Sequence, residues 1–189
     1  MAEMRNGRQE DSLETILIES LHILVYEKDI NTALNCFLET IGKYYKEDRA
    51  YIFEFDLRKR TMNNTFEWCA EKVRTEKDRL QNVQIHVIES WIKKFHEKRE
   101  FYIAALEDDV SQDREDFEIL KKQGIKSLMA APLLWDDDIV GFLGVDNPAE
   151  HNGDMLLLRS VVDFVTADLE KRRLIEELSR ACCIDMLTG

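Results

Sequence analysis

Apolar residues recur at three- and four-residue steps near the start of the chain. Leu13, Ile16, Leu17, Leu21, Leu24 and Val25 predict an amphipathic helix over residues 11–27. A second stripe, Ile30, Ala33, Leu34, Phe37, Leu38 and Ile41, predicts another helix, capped by Asp29 or Asn31 and stopped at Gly42. The period then drops to two. In Arg49–Asp56 the aromatics Tyr51, Phe53 and Phe55 alternate with Ala50, Ile52 and Glu54, which is a strand pattern. After the charged stretch 56–60, residues 62–70 alternate again, with Asn64, Phe66, Trp68 and Ala70 on one face. The two segments predict an antiparallel hairpin.

Helical spacing returns from Val83 to Lys98, with Ile88, Trp91, Ile92 and Phe95 on one side. A short strand follows over 100–104, and then an acidic stretch. Phe117, Ile119 and Leu120 predict a short helix with Gly124 as its C′ residue. Segments 125–135 and 138–147 flank Asp136–Asp138 and read as a second hairpin, apolar on both faces and therefore central. Pro132 marks a bulge or an unpaired position in it. Asn152-Gly153-Asp154 turns the chain into a last helix over 154–184, roughly 45 Å long at 1.5 Å per residue. Its first half has a broad apolar face (Leu157, Leu158, Val161, Val162, Phe164, Val165, Leu169). Its second half narrows to Leu174, Ile175, Leu178 and Cys182, a seam suited to a partner helix. Asp168 and Lys171 break the stripe between the two halves.

Composition narrows the function classes. The 189 residues carry a net charge of −12, and no Lys/Arg cluster stands free of flanking acids. Such a surface repels phosphate backbones and anionic lipid, so neither nucleic acid nor a membrane surface is an expected partner. No apolar run approaches the roughly 20 residues of a membrane span, and the first residues lack a signal peptide's apolar core. The expected location is the cytoplasm. Cys36, Cys69, Cys182 and Cys183 form no C-x-x-C pair and no Cys/His ligand set, so free thiols and no metal are expected.

The order of helices and antiparallel strands is that of an α+β sheet domain. Residues 124–148, with their Pro132-Leu133 step and Gly141-Phe142-Leu143-Gly144-Val145-Asp146-Asn147 strand, resemble the second half of a GAF domain, and residues 64–70 resemble its preceding strand. The resemblance covers about residues 14–170. It implies a GAF/PAS-like six-stranded antiparallel sheet with helices on one face and a roofed small-molecule pocket on the other; a short strand within 71–84 would complete the six. Asp185-Met186-Leu187-Thr188-Gly189 is similar to the opening of a GGDEF domain, the diguanylate cyclase fold. The implied organisation is an extension over 1–12, the GAF domain over 13–170, a connecting helix over 171–184, and the first GGDEF residues over 185–189, with Asp185, Leu187 and Thr188 at the junction.

The resemblance implies a regulatory sensor that is not itself an enzyme and that controls a cyclase in cyclic di-GMP signalling, as a parallel homodimer because that output needs two active sites face to face. The alternatives are a ligand-free dimerisation spacer and a thiol-dependent GAF enzyme using Cys69. No covalently bound cofactor is expected. Bilin-attaching GAF domains commonly have His after the Cys, whereas Ala70 follows Cys69, and the cyclic-nucleotide GAF pattern is absent. Carboxylate pairs such as Asp108-Asp109 read as solvated loops, and the scattered His22, His86, His96 and His151 as helix-surface or pocket-rim residues, with haem binding by one of them the alternative. Pocket candidates are Phe66, Trp68, Trp91, Phe95, Met129 and Asp146. Core packing is the preferred reading for Phe66 and Phe95, Trp68 and Trp91 divide evenly, and Asp146 either faces the pocket or, the preferred reading, caps the following turn.

Overall fold

The computed structural model describes residues 12–98 and 100–188, without the side chains of Lys98 and 181–188. Ser12 starts α1 (Leu13–Tyr26) by accepting from the Thr15 amide at 3.3 Å. Asp29 starts α2 (Ile30–Tyr45) by accepting from Thr32 at 2.8 Å. The α2 stripe is buried as its spacing predicts. The α1 stripe is buried only in part: Val25 is exposed, with Ile18 and Tyr26.

Gly42 does not stop α2, which runs on to Tyr45 and ends where Lys46 turns left-handed at φ 46°. Glycine stands mid-helix because a Cβ there would lie 2.3 Å from the ring of Trp68. The backbone gives up helix propensity so that an indole can pack flat on it.

The strands are β1 (Arg49–Asp56), β2 (Thr61–Cys69), β3 (Val83–Gln84), β4 (Phe101–Ile103), β5 (Leu128–Trp135) and β6 (Asp138–Asp146). They form one antiparallel six-stranded sheet in the order β3-β2-β1-β6-β5-β4. The sixth strand is β3, two residues at the end of the expected interval. Residues 83–98 are therefore not one helix: β3 leads into a 3₁₀ turn (Ile85–Ile88) and then α3 (Glu89–Lys98). Between β4 and β5 lie α4 (Leu106–Asp109), which the acidic composition hid, and α5 (Glu115–Lys122), whose end is marked by Gly124 at φ 75°.

Asp136 and Asp137 turn the β5–β6 hairpin with φ of 49° and 68°. Two positive-φ residues between paired Trp135 and Asp138 make a type I′ connection. Pro132 stays in register opposite Phe142, and the irregularity falls one residue later, between Leu133 and Leu134. Pairing of β4 on β5 ends at Ala130, so the missing Pro132 amide lies beyond the neighbouring strand.

Two apolar clusters sandwich the sheet. On one face α1, α2 and the first half of α6 (Leu156–Thr188) cover Ala50, Ile52, Phe66, Met129, Ala131, Leu143 and Val145. On the other, the 3₁₀ turn, α3 and α5 cover Tyr51, Phe53, Met62, Leu128, Ala130 and Phe142. Along α6, Leu157, Leu158, Val161, Val165 and Leu169 are buried, but Phe164 is exposed, off the predicted face. The helix does not end at Ile184; its 33 residues, about 50 Å, run through Asp185 to Thr188, so the junction residues are helical.

Candidate ligand cavity and its neighbours

The cavity lies between the sheet and its thinner cover. Alternation on β1 turns Arg49, Tyr51 and Phe53 toward it, and β6 adds Phe142 and Asp146. Gly144 makes room for Tyr51: a Cβ there would lie 2.4 Å from the phenol ring. On β2 the register shifts, with Phe53 opposite Asn64 and Ile52 opposite Phe66, so Thr65 is an extra residue. This bulge lets Met62, Asn64 and Glu67 line the cavity while Phe66 packs on the helix side. Leu80, Val83, Val87, Ile88 and Trp91 form the roof, with Ile119, Leu120 and Gln123 of the α5 region. The enclosed space is about 50 Å³, room for a few water molecules.

Aromatic rings fill much of the pocket face. Phe53 stacks on Phe142 with centroids 4.8 Å apart, and Trp91 meets Phe142 edge-on at 5.6 Å. The Trp91 indole N–H donates to Asp116 Oδ2 at 2.7 Å, and Arg114 holds the same carboxylate from the other side.

At the opposite end Asp146 is 1% exposed. Its Oδ1 accepts from the Tyr51 hydroxyl at 2.8 Å and its Oδ2 from Arg49 at 3.4 Å. Burial pushes its pKa up to about 7, against the opposing pull of Tyr51 and Arg49. Glu47, buried beside it, is raised well above the usual carboxylate range by burial and then by the charges of Asp146 and Asp48. Glu67 ties the β2–β3 connection to the sheet, accepting from the Thr75 hydroxyl and from the amides of Glu76 (3.0 Å) and Lys77 (3.2 Å).

Of the pocket candidates, Trp91 and Asp146 line the cavity. Asp146 does not cap the following turn. Asn147 does not cap it either: its side chain braces the segment before β5, accepting from the Lys126 and Ser127 amides and donating to Asp48. Phe66, Trp68 and Met129 belong to the opposite, helix-covered face. For Phe66 and Trp68 the bulge at Thr65 is the cause; for Met129 it is alternation along β5. Phe95 is on the pocket side but packs in the core beyond the cavity, its ring 6.2 Å from Phe142. Arg49, Tyr51, Asn64 and Glu67 also line the cavity and are not among the sequence candidates. The signal available was a polar Asn inside a strand, where its propensity is poor.

Leu174, Ile175 and Leu178 are 52%, 50% and 66% exposed, off the body of the domain. The side chains of Cys182, Asp185, Leu187 and Thr188 lie outside the described residues. Cys69 does not line the cavity, and burial, then the Glu67 charge, pushes its thiol up to about 12. Among the described residues no three His, Cys, Asp or Glu side chains group as a metal site, and no helix is long and apolar enough to cross a membrane.

A six-stranded antiparallel sheet with helices on one face and a roofed cavity on the other defines a PAS/GAF-like sensor fold. The chain belongs to the GAF domain family, which it matches over residues 29–169. It is similar to the methanogenesis regulatory histidine kinase FilI of Methanothrix harundinacea (strain 6Ac), 24% identical over 179 residues, which are 90% of this chain. The chain spans about a fifth of that relative's length, 20%.

Among solved structures, it resembles the phycocyanobilin-bound GAF domain of a cyanobacterial phytochrome with a TM-score of 0.68 and 15% identity, over 86% of this chain and 96% of the other. It also resembles free methionine-R-sulfoxide reductase of Neisseria meningitidis with its substrate, TM-score 0.65 and 13% identity, over 93% and 98%. At these identities the likeness is one of fold.

Proposed function

We propose that the chain is the sensing domain of a signalling protein, in which a small molecule taken into the cavity shifts α6 and so an output domain beyond it. The observation that carries this reading is that cavity and helix are read by adjacent residues of the same strands. On β1, Phe53 lines the cavity, and its neighbour Glu54 pairs with Arg172 of α6. On β2, Asn64 lines the cavity, and Phe66 lies under the Arg172 guanidinium at 5.2 Å. A change at Phe53 or Asn64 therefore reaches the point where α6 leaves the sheet, as a two-position helix requires.

The proposed output is a diguanylate cyclase, supported by the resemblance of residues 185–189 to the opening of a GGDEF domain, with cyclic di-GMP as its signal. The similarity to a protein named as a regulatory histidine kinase supports the same sensing role with a kinase as output. The fragment itself is proposed to be non-enzymatic and cytoplasmic. The exposed Leu174, Ile175 and Leu178 support a parallel homodimer through a seam continuing to Cys182.

One observation favours a second reading, a ligand-free spacer. About 50 Å³ is far below the roughly 300–1,000 Å³ of ordinary ligand sites, so a ligand must push the roof outward. Thermal denaturation against a metabolite panel separates the two. A ligand at 100 times its Kd adds about 2.7 kcal/mol, whereas a spacer shows no stabilisation by any compound.

A further inference from the structure

We propose that the cavity selects small ligands presenting a hydrogen-bond-donating nitrogen, an amine or an N–H heterocycle, on an apolar body, and that Asn64 Oδ1 is the acceptor that reads it. The inference rests on the reading of the cavity as a ligand site. Asn64 is fully buried, and its Oδ1 has no hydrogen-bond partner among the described residues. Its orientation is fixed by its own amide: Nδ2 donates to Glu67 Oε1 at 3.1 Å, and the reversed amide would set a carbonyl oxygen against that carboxylate. Glu67 is held in turn by Thr75, Glu76 and Lys77, so it does not yield. The Asn64 backbone is already satisfied, donating to Leu80 O at 2.9 Å and accepting from Gln81 at 2.8 Å. What remains is one buried, unused acceptor.

The other polar groups of the cavity point the same way. Glu67, Asp116 and Asp146 line it against one cation, Arg49, and that guanidinium is already divided among Asp146, Arg74 O and Gln123 O. A carboxylate or phosphate ligand would meet the carboxylates of Glu67 and Asp116 and a guanidinium that is already shared. A donor nitrogen meets acceptors and the faces of aromatic rings, which attract N–H groups and cations. A buried carbonyl without a partner is costly, so a donor that satisfies it gains more than one that exchanges an existing bond.

The test is calorimetric and thermal-shift titration of the chain with 2-phenylethylamine, 3-phenylpropionate and ethylbenzene, three probes of similar body. The amine is expected to bind at least tenfold more tightly than the other two. Asn64→Leu should lose that preference by tenfold or more while melting at the same temperature or higher. Asn64→Ala, smaller than the native side chain, should lose the preference too and guards against a misfolded Leu variant. Preference for 3-phenylpropionate or ethylbenzene would overturn the ligand class while leaving a ligand sensor intact. Amine binding undiminished in both variants would overturn the role of Asn64. No binding by any probe would also overturn this inference, and the metabolite panel then decides separately between sensor and spacer.

Discussion

Asn64 and Phe66 stand two residues apart on β2, yet Asn64 lines the cavity and Phe66 packs beneath the helices on the other side of the sheet. An unbroken strand would turn both the same way. The extra residue Thr65, whose hydroxyl donates to Ile52 O at 3.4 Å, reverses the facing. Half of β2 thus serves the cavity and half the helix layer.

The two residues should answer truncation differently. Phe66→Ala removes a ring that is 4% exposed and should cost about 3–5 kcal/mol in urea denaturation. Asn64→Ala removes an unpaired acceptor together with one hydrogen bond, to Glu67, and should fall within about 1 kcal/mol of wild type. Equal losses at the two positions would mean that they share a face.

Gly42→Ala should destabilise the domain although it improves helix propensity by about 1 kcal/mol. The new methyl would sit 2.3 Å from the Trp68 ring, and forced overpacking costs about 1–3 kcal/mol. In a Trp68→Leu background the clash is gone, so the same substitution should become neutral or stabilising. A double-mutant cycle by chemical denaturation reads the sign change.

Most of the architecture was legible because its signals are local. Alternation in residues 49–56, the α2 stripe and the Asp136-Asp137 turn each follow from a few adjacent residues. The failures came where a distant partner decides. Gly42 reads as a stop until Trp68 arrives from β2, and Trp68, evenly divided between pocket and core in the sequence, joins Phe66 on the helix side only once β1 imposes the bulge. Asp146 at a strand end reads as a turn cap; only the fold shows its carboxylate taken up by Tyr51 and Arg49, while Asn147 braces the distant Lys126-Ser127 segment. Two residues of β3 pairing with Thr61 and Met62 leave almost no period to read.

Arg172 should be the residue whose loss frees α6 from the sheet. It pairs with Glu54 and lies over Phe66, and both contacts are partly shielded from water. Arg172→Ala should cost about 1–3 kcal/mol and raise amide hydrogen exchange in α6 beyond Leu169, with the cavity face unchanged. Arg172→Lys should restore little, because an ammonium cannot stack as the planar guanidinium does. Exchange unchanged in both variants would show that the pairing does not hold the helix.

The seam makes a separate prediction. If Leu174, Ile175 and Leu178 meet their copies in a parallel pair, Leu178→Glu should shift sedimentation toward monomer without lowering the melting of a dilute sample, because that side chain is 66% exposed. A chain that is monomeric at high micromolar concentration before any substitution would remove the seam as the main support of a dimer.

Stability should fall as pH rises from about 4 to about 7. Folded Asp146 holds its proton up to about 7, because burial outweighs the help of Tyr51 and Arg49, while the unfolded residue releases it near 3.8. Glu47, also buried, is shifted the same way. Between those limits the folded state binds more protons than the unfolded chain, so each such group contributes stability fully below its unfolded pKa and loses it as pH climbs through the folded value. The slope for one proton is about 1.4 kcal/mol per pH unit. Asp29, Asp56 and Asp113 are shifted down by their hydrogen bonds and act in the opposite sense, at lower pH. Asp146→Asn keeps an acceptor for Tyr51 and removes the titration, and should flatten the urea-derived stability profile between pH 5 and 7. Adding Glu47→Gln should flatten it further. A wild-type profile that is level or rising across that window would mean that both carboxyls are ionised in the fold and that Arg49 shields them better than a 3.4 Å contact suggests.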